Sequence, residues 1–363
     1  MNQFGQRFRL SLFGESHGQG VGVTVDGVPA GLPFDLATVQ ADLDARRPGR
    51  NILVTQRQEP DQAEILAGVF RDHTTGAPLT LWIANQDQQS NAYRDLDVRP
   101  RPGHSDWVAG VRSKGHNDFR GGGHYSGRLT AGLVSAGAVA QMLLDEVGIT
   151  VAAHLHQVAD LAGPDHAHDV AALLEAVPKS MVYTGHRDLE GPFVAAIDQA
   201  RRDKDSLGGI VEFVAEGLPV ALGDPFFDSV ESLLAHILFA VPAVKGVDFG
   251  DGFASVALAG SEHNDPYAVD DAGHVHPTTN HAGGILGGLT TGAPLRGRVA
   301  IKPTSSIFQP QQTVDLQKGE PATLELKGRH DPCIAIRAVP VVQACVRIVL
   351  ADLLLLGRQE GLA

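Results

Sequence analysis

The sequence predicts an α+β protein, a β-α-β sandwich in which a helical layer is enclosed by antiparallel sheets, and three features predict it. Short segments with apolar residues at alternate positions recur between Gly and Pro residues, the pattern of half-buried strands. Several longer stretches are apolar nearly all round, so they need cover on more than one side. These helical patterns do not alternate regularly with the strand patterns, which argues against a parallel βαβ sheet.

In chain order, the strand segments are RFRLSLF, GVGVTVDGV, AEILAGVF, PLTLWIAN, GIVEFVAEGL, ASVALAG, LRGRVAIKP and ATLELKG. The helical patterns cover 35–46 after Pro33, 129–147, 168–177, 227–240 and the C-terminal 339–356. LTAGLVSAGAVAQMLLDEV, the second of these, is the least amphipathic and should lie at the centre. No fixed-period repeat, Ser/Pro-rich linker or charge block divides the chain, so residues 1–363 read as a single domain. The stretch HLHQVADLAGPDHAHDV, with His154, His156, His166 and His168, reads as a solvated loop in preference to a metal site.

With 363 residues, 43% of them hydrophobic, and a mean hydropathy of −0.04, the chain can bury a large core. A net charge of −13 argues against a protein that coats nucleic acid or an anionic membrane, yet leaves room for a local basic pocket. Cys333 and Cys345 are too few and too far apart for a disulfide framework or a CxxC metal site. The N-terminal MNQFGQRFRL has no apolar signal core, and VVQACVRIVLADLLLLG is interrupted by Arg347 and Asp352. A cytoplasmic protein that spans no membrane is expected.

Chemistry-bearing residues cluster in islands held by Gly and Pro. GESHGQG sets Glu15, Ser16 and His17 among three glycines. ARRPGRN places Arg46, Arg47 and Arg50 around Pro48, as planar cations suited to phosphate or carboxylate oxygens. RPRPGHSDW holds His104 in a loop stiffened by prolines, next to Arg101. RGGGHYSGRLTAG puts three glycines, Ser126 and Arg128 at a helix entrance, where free backbone amides favour an anion. NHAGGILGG and KPTSS offer close backbone approach, the Lys302 cation and the hydroxyls of Thr304, Ser305 and Ser306. GRHDPC gathers Arg329, His330 and Asp331 into a turn. Six such islands are most economically explained by one shared cationic pocket for a small polyanion, with histidines for proton transfer. A non-catalytic anion-binding oligomer and a kinase are the competing classes; no specific nucleotide motif supports the second.

These motifs resemble the chorismate synthase family. The match runs through GESHG, VDGVPAGLP, RRPG, TQRQEPD, GVFRDHTTGAPL, RPGHSD, RGGG, AVKGVDFGDGF, AGGILGG, KPTSSI and GRHDPCIAIRAVP in family order. The resemblance implies a homotetramer, reduced FMN as cofactor, and trans-1,4 elimination of phosphate from 5-enolpyruvylshikimate 3-phosphate. It implies catalytic roles for His17 at the leaving phosphate, His104 at the flavin N1/O2 edge and Asp331 near N5. Substrate would be held by Ser16, Arg46, Arg47, Arg128 and Arg329, with Arg50 as a nearby substitute for a family arginine whose place Ile52 takes. Flavin would be held by His124, Tyr125, Ser126, Pro242, Ala243, Gly287, Lys302, Pro303, Thr304, Ser305, Ser306 and Arg329. His124, Tyr125, Gly127 and Leu129 depart from the common RSSARET pattern. No reductase domain is evident, so an external donor is expected to reduce the flavin, with NADP the nucleotide tied to that step.

Overall fold

In the computed structural model, which describes residues 2–49, 51–55, 57, 59–87, 95–326 and 330–361, two five-stranded antiparallel sheets enclose a helical layer. The N-terminal sheet runs in the spatial order Gln3–Phe4, Arg9–Gly14, Gly20–Asp26, Leu79–Ala84, Ala63–Ala67. Period-two patterning accounts for its inner face: Val21, Val23 and Val25 are fully buried and lie in register with Ile83, Leu81 and Leu79. The C-terminal sheet runs Val244–Phe249, Leu295–Ile301, Gly209–Glu216, Thr150–Val158, Leu161–Ala162.

Between them, the helix Thr130–Asp145 meets the N-terminal sheet and the helix Ala335–Glu360 meets the C-terminal one, and the two helices pack on each other. Glycine permits this closeness, since a Cβ on Gly137 would collide with Ala344 and one on Gly132 would lie 2.7 Å from Leu12 Cδ2. Leu36–Arg46 packs against both. The stretches 127–145 and 335–359 are long and apolar enough to cross a membrane, but 83% and 78% of those windows are buried inside the protein, as core helices are.

Three expected elements differ, and one helix was not expected. ASVALAG forms no strand; Gly252–Ala257 is 3-10 helical with Phe253 and Val256 exposed, because an alternating pattern without a neighbouring ladder gains nothing from extension. The C-terminal helix begins at Ala335, four residues before the expected 339, and continues through Pro340, which loses only one hydrogen bond near its start. The helix Arg187–Arg202, with Gly191-Pro192 in its first turns, is not among the expected helices. Most consequentially, the histidine-rich stretch is no solvated loop at its start: His154 and His156 lie fully covered on the strand Thr150–Val158. Histidine reads as polar in sequence, and only tertiary cover reveals otherwise.

Candidate active-site cleft

A cleft of about 700 Å³ opens where the turn after strand Arg9–Gly14, the loops at 101–105 and 121–130, and the segments 240–245, 302–306 and 330–341 converge. The triple glycine organises it. Gly121, Gly122 and Gly123 all adopt positive φ, at +59°, +84° and +54°, which side-chain-bearing residues resist. A Cβ on Gly121 would collide with the His17 ring, and one on Gly122 would lie 3.2 Å from His104 Cε1. Both imidazoles therefore abut the same glycine turn.

His17 is 5% exposed. Burial, reinforced by the nearby Arg57 guanidinium, pushes its pKa down to about 4, so it is neutral near pH 7. Its loop is pinned by Ser16, whose amide donates to Gly123 O at 3.1 Å. Arg57 reaches Ser16 Oγ and Ser16 O, each at 3.4 Å, and is itself held by Glu59 at 2.6 Å.

His104 is oriented through its other face. Its Nδ1 stands 2.6 Å from Asp106 Oδ1, so a proton on Nδ1 donates to the carboxylate and Nε2 is left toward Gly122. Asp106, at the start of the helix Asp106–Ser113, also receives both Nε and Nη2 of Arg101 at 2.8 Å. Burial opposes ionisation of Asp106, but the hydrogen bonds from Arg101 and His104 outweigh it and hold the carboxyl well below its usual range. Arg101 Nη1 then donates to Ser306 Oγ at 3.0 Å, joining the histidine loop to the KPTSS segment.

A second carboxylate joins two of the expected arginines. Buried Asp61 accepts from Arg46 Nη1 at 2.6 Å with one oxygen and from Arg128 Nη1 with the other. Burial would raise Asp61, yet the two guanidinium charges bring it below the ordinary carboxylate value. Arg46 is also bound to Thr130 Oγ1 at 3.1 Å, and Arg128 to Asn85 Oδ1 at 2.8 Å. Asp331 accepts from the Thr55 amide at 2.8 Å and from Arg337 at 3.0 Å.

The opposite wall is rich in backbone. Pro242 and Ala243 line it, Ala243 at φ +75°, and Ala243 O accepts from the Lys302 amide at 2.9 Å. Lys302 Nζ donates to Gly103 O at 2.9 Å and Ser305 Oγ at 3.0 Å; burial and Lys245 lower its pKa. Pro303 and Thr304 line the same wall, and Thr304 Oγ1 is buried with no hydrogen-bond partner among the described residues. Ser126 caps the turn leading to Arg128, while His124 is tied to Gly14 O and Asn2 Oδ1 and Tyr125 is 41% exposed at the rim.

Four expected residues do not join this constellation. Arg47 is half exposed, paired with Asp44, and lines a separate cavity of about 490 Å³. Gly287 occupies the exposed turn between strands Ile285–Leu286 and Leu289–Thr290, away from the cleft walls. Arg50 and Arg329 lie outside the described residues. Conversely, Arg57, Glu59, Asp61, Asp106 and Arg337 carry no role in the sequence reading, although the motifs TQRQEPD, RPGHSD and GRHDPCIAIRAVP contain them, since nothing local marks a charge that will be buried. His330 of the GRHDPC turn lines the cleft with Nε2 buried and without a hydrogen-bond partner among the described residues, and burial, then Arg101, lower its pKa to about 4. Among the described residues, Arg46, Arg57, Arg101, Arg128, Lys245, Lys302 and Arg337 line the cleft against only Glu59 and Asp331. The pocket is cationic inside an acidic protein, suited to a polyanion.

A family model described as chorismate synthase matches residues 8–355. A chorismate synthase of Korarchaeum cryptofilum is 47% identical over 96% of this chain and 96% of its own length. One of Chloroflexus aurantiacus is 46% identical over 98% of this chain and 96% of its own. Among solved structures, a crystal structure of chorismate synthase superposes with a TM-score of 0.76 at 26% identity, covering 97% of this chain and 92% of that one.

Proposed function

This chain belongs to the chorismate synthase family and is a lyase of that kind, and from that premise we propose how its cleft works: it eliminates phosphate in trans-1,4 fashion from 5-enolpyruvylshikimate 3-phosphate, giving chorismate. The observation that carries the reading is the convergence of Ser16, His104, Arg46 and Arg128 from four distant segments on one cationic cleft, with the His17 ring packed against Gly121 in its wall.

The phosphate and the ring hydrogen leave from opposite faces, so a single concerted step is poorly supported and charge must be managed along the way. Reduced FMN, when bound, supplies transient electron density without net redox change. The chain's own residues supply the rest. Seated beside His17, a phosphate dianion raises the imidazole from about 4 by direct charge interaction, so the ring takes a proton as the leaving group arrives and delivers it to the departing oxygen. Arg46 and Arg128, held by Asp61, and Arg57 beside Ser16 present guanidinium edges to phosphate and carboxylate oxygens. His104, braced by Asp106, directs Nε2 to the flavin's polar edge. Asp331 is a proton acceptor once substrate draws Arg337 away.

Flavin binding falls to Pro242, Ala243, Lys302, Pro303, Thr304, Ser305 and Ser306, with Ser126 and the rim residues His124 and Tyr125. The Lys302 ammonium and the hydroxyl-bearing segment Thr304, Ser305 and Ser306 beside it suit an oxygen-rich phosphate or ring carbonyl. Arg47, Arg50, Gly287 and Arg329 enter this reading from family resemblance alone. The same resemblance supports a cytoplasmic homotetramer with an external flavin reductant, and the continuous hydrophobic core supports one domain over 1–363. Anaerobic mixing with reduced FMN and 5-enolpyruvylshikimate 3-phosphate tests the proposal: stoichiometric phosphate release with the flavin still reduced is expected. Absence of phosphate release, or release matched by flavin oxidation, overturns it.

A further inference from the structure

The outer face of the C-terminal sheet carries a cluster of imidazoles that the cleft does not use. His154 and His156 are two residues apart on the strand Thr150–Val158, so they share one face. His186 immediately precedes the helix Arg187–Arg202, and Glu212 is the register partner of His154 on the neighbouring strand. His154, His156 and His186 are 0%, 2% and 5% exposed, and one ring nitrogen of each lies within 4.8 Å of the other two.

Each ring has a polar neighbour on one nitrogen. His154 Nε2 is 3.5 Å from Glu212 Oε1, His156 Nε2 is 3.0 Å from Asp165 Oδ1, and His186 Nδ1 is 3.2 Å from His168 Nε2. Protons on these nitrogens leave lone pairs on His156 Nδ1, His186 Nε2 and His154 Nδ1, the last of which accepts from the Gly185 amide at 3.3 Å. This is the arrangement in which carboxylates and rings orient metal-binding histidines. His156 Nδ1 and His186 Nε2 are 3.4 Å apart. That is close to the ~3.3 Å edge of a tetrahedron with metal–nitrogen bonds of about 2.0–2.1 Å. The Gly163 backbone packs against the His186 ring, where any Cβ would collide with it. The Glu212 and Asp165 carboxylates offset a buried divalent charge, Asp165 being shared with Arg298 at 2.5 Å.

We infer that His154, His156 and His186 bind one first-row divalent cation, zinc by donor chemistry, with a solvent oxygen completing four-coordination. The ion displaces the long 3.3 Å contact from the Gly185 amide to His154 Nδ1. Its effect is to fasten the strand Thr150–Val158 to the start of the helix Arg187–Arg202. The rival account is a metal-free chain in which His168 donates to His186, His186 to His156, and His156 to Asp165.

The test uses the full untagged chain, stripped with a chelator, dialysed and titrated with Zn²⁺ alone. One equivalent retained through gel filtration, a raised unfolding midpoint and an about 100-fold loss of affinity in His156→Ala and His186→Ala are expected. Co²⁺ in the unmodified protein should give the visible absorption of a four-coordinate site, a readout that needs no variant to fold. Substoichiometric uptake, uptake unchanged by both substitutions, or colourless Co²⁺ protein overturns the assignment and leaves the imidazole chain.

Discussion

The His17 ring fills the space that a side chain on Gly121 would need, and at Gly121 the backbone holds φ +59°. Gly121→Ala therefore both strains the turn and pushes the imidazole from its place. We expect turnover to fall about 100-fold, the usual consequence of displacing a reacting group by about an ångström, with the overall fold retained by circular dichroism. Unchanged turnover would remove His17 from the reaction.

His17→Ala separates the two occupants of the cleft. The proposed partner of His17 is the leaving phosphate, so phosphate release should drop by about 10²–10⁴-fold while reduced-FMN affinity, read by flavin titration, stays near the parent value. An equal loss of flavin binding would contradict the role.

Asp61→Asn leaves Arg46 and Arg128 buried around a neutral amide. Removing the charge that both guanidinium groups share should cost about 3–5 kcal/mol in denaturant unfolding, and apparent substrate affinity should fall as the arginines lose their fixed directions. Arg128→Lys should weaken substrate binding as well, because one ammonium cannot serve Asp61, Asn85 and Ala84 O together.

Acid should weaken the substrate-free protein before the carboxylates titrate. Burial takes His17 and His330 from 6.5 to about 4, so between those values the unfolded chain binds protons that the native chain refuses. Stability is then full above pH 6.5 and falls as pH drops toward 4, by up to about 1.4 kcal/mol per pH unit for each ring. Unfolding midpoints across this range should show the slope, and His330→Asn should flatten it by one proton's share.

The strands and helices that form the sandwich were legible wherever period and punctuation agreed: GVGVTVDGV and LRGRVAIKP became ladder strands, and LTAGLVSAGAVAQMLL became the buried central helix. ASVALAG had the same period but no partner strand, and the helix at 187–202 forms with a Gly-Pro in its first turns. Local pattern reports what a segment can become; pairing and cover decide whether it does.

For the site, the sequence by itself determined which groups are available and that glycines hold them in turns: His17, His104, the triple glycine and Arg128 were all visible as islands. Tertiary structure alone decided which charges face one another. Arg46 turns inward to Asp61 while its neighbour Arg47 turns out to Asp44, and histidines in a polar-looking stretch end up beneath a helix beside Glu212. Burial changes what an ionisable group costs and what it can do, and it is a property of distant segments closing over a residue, which no neighbour in sequence can report.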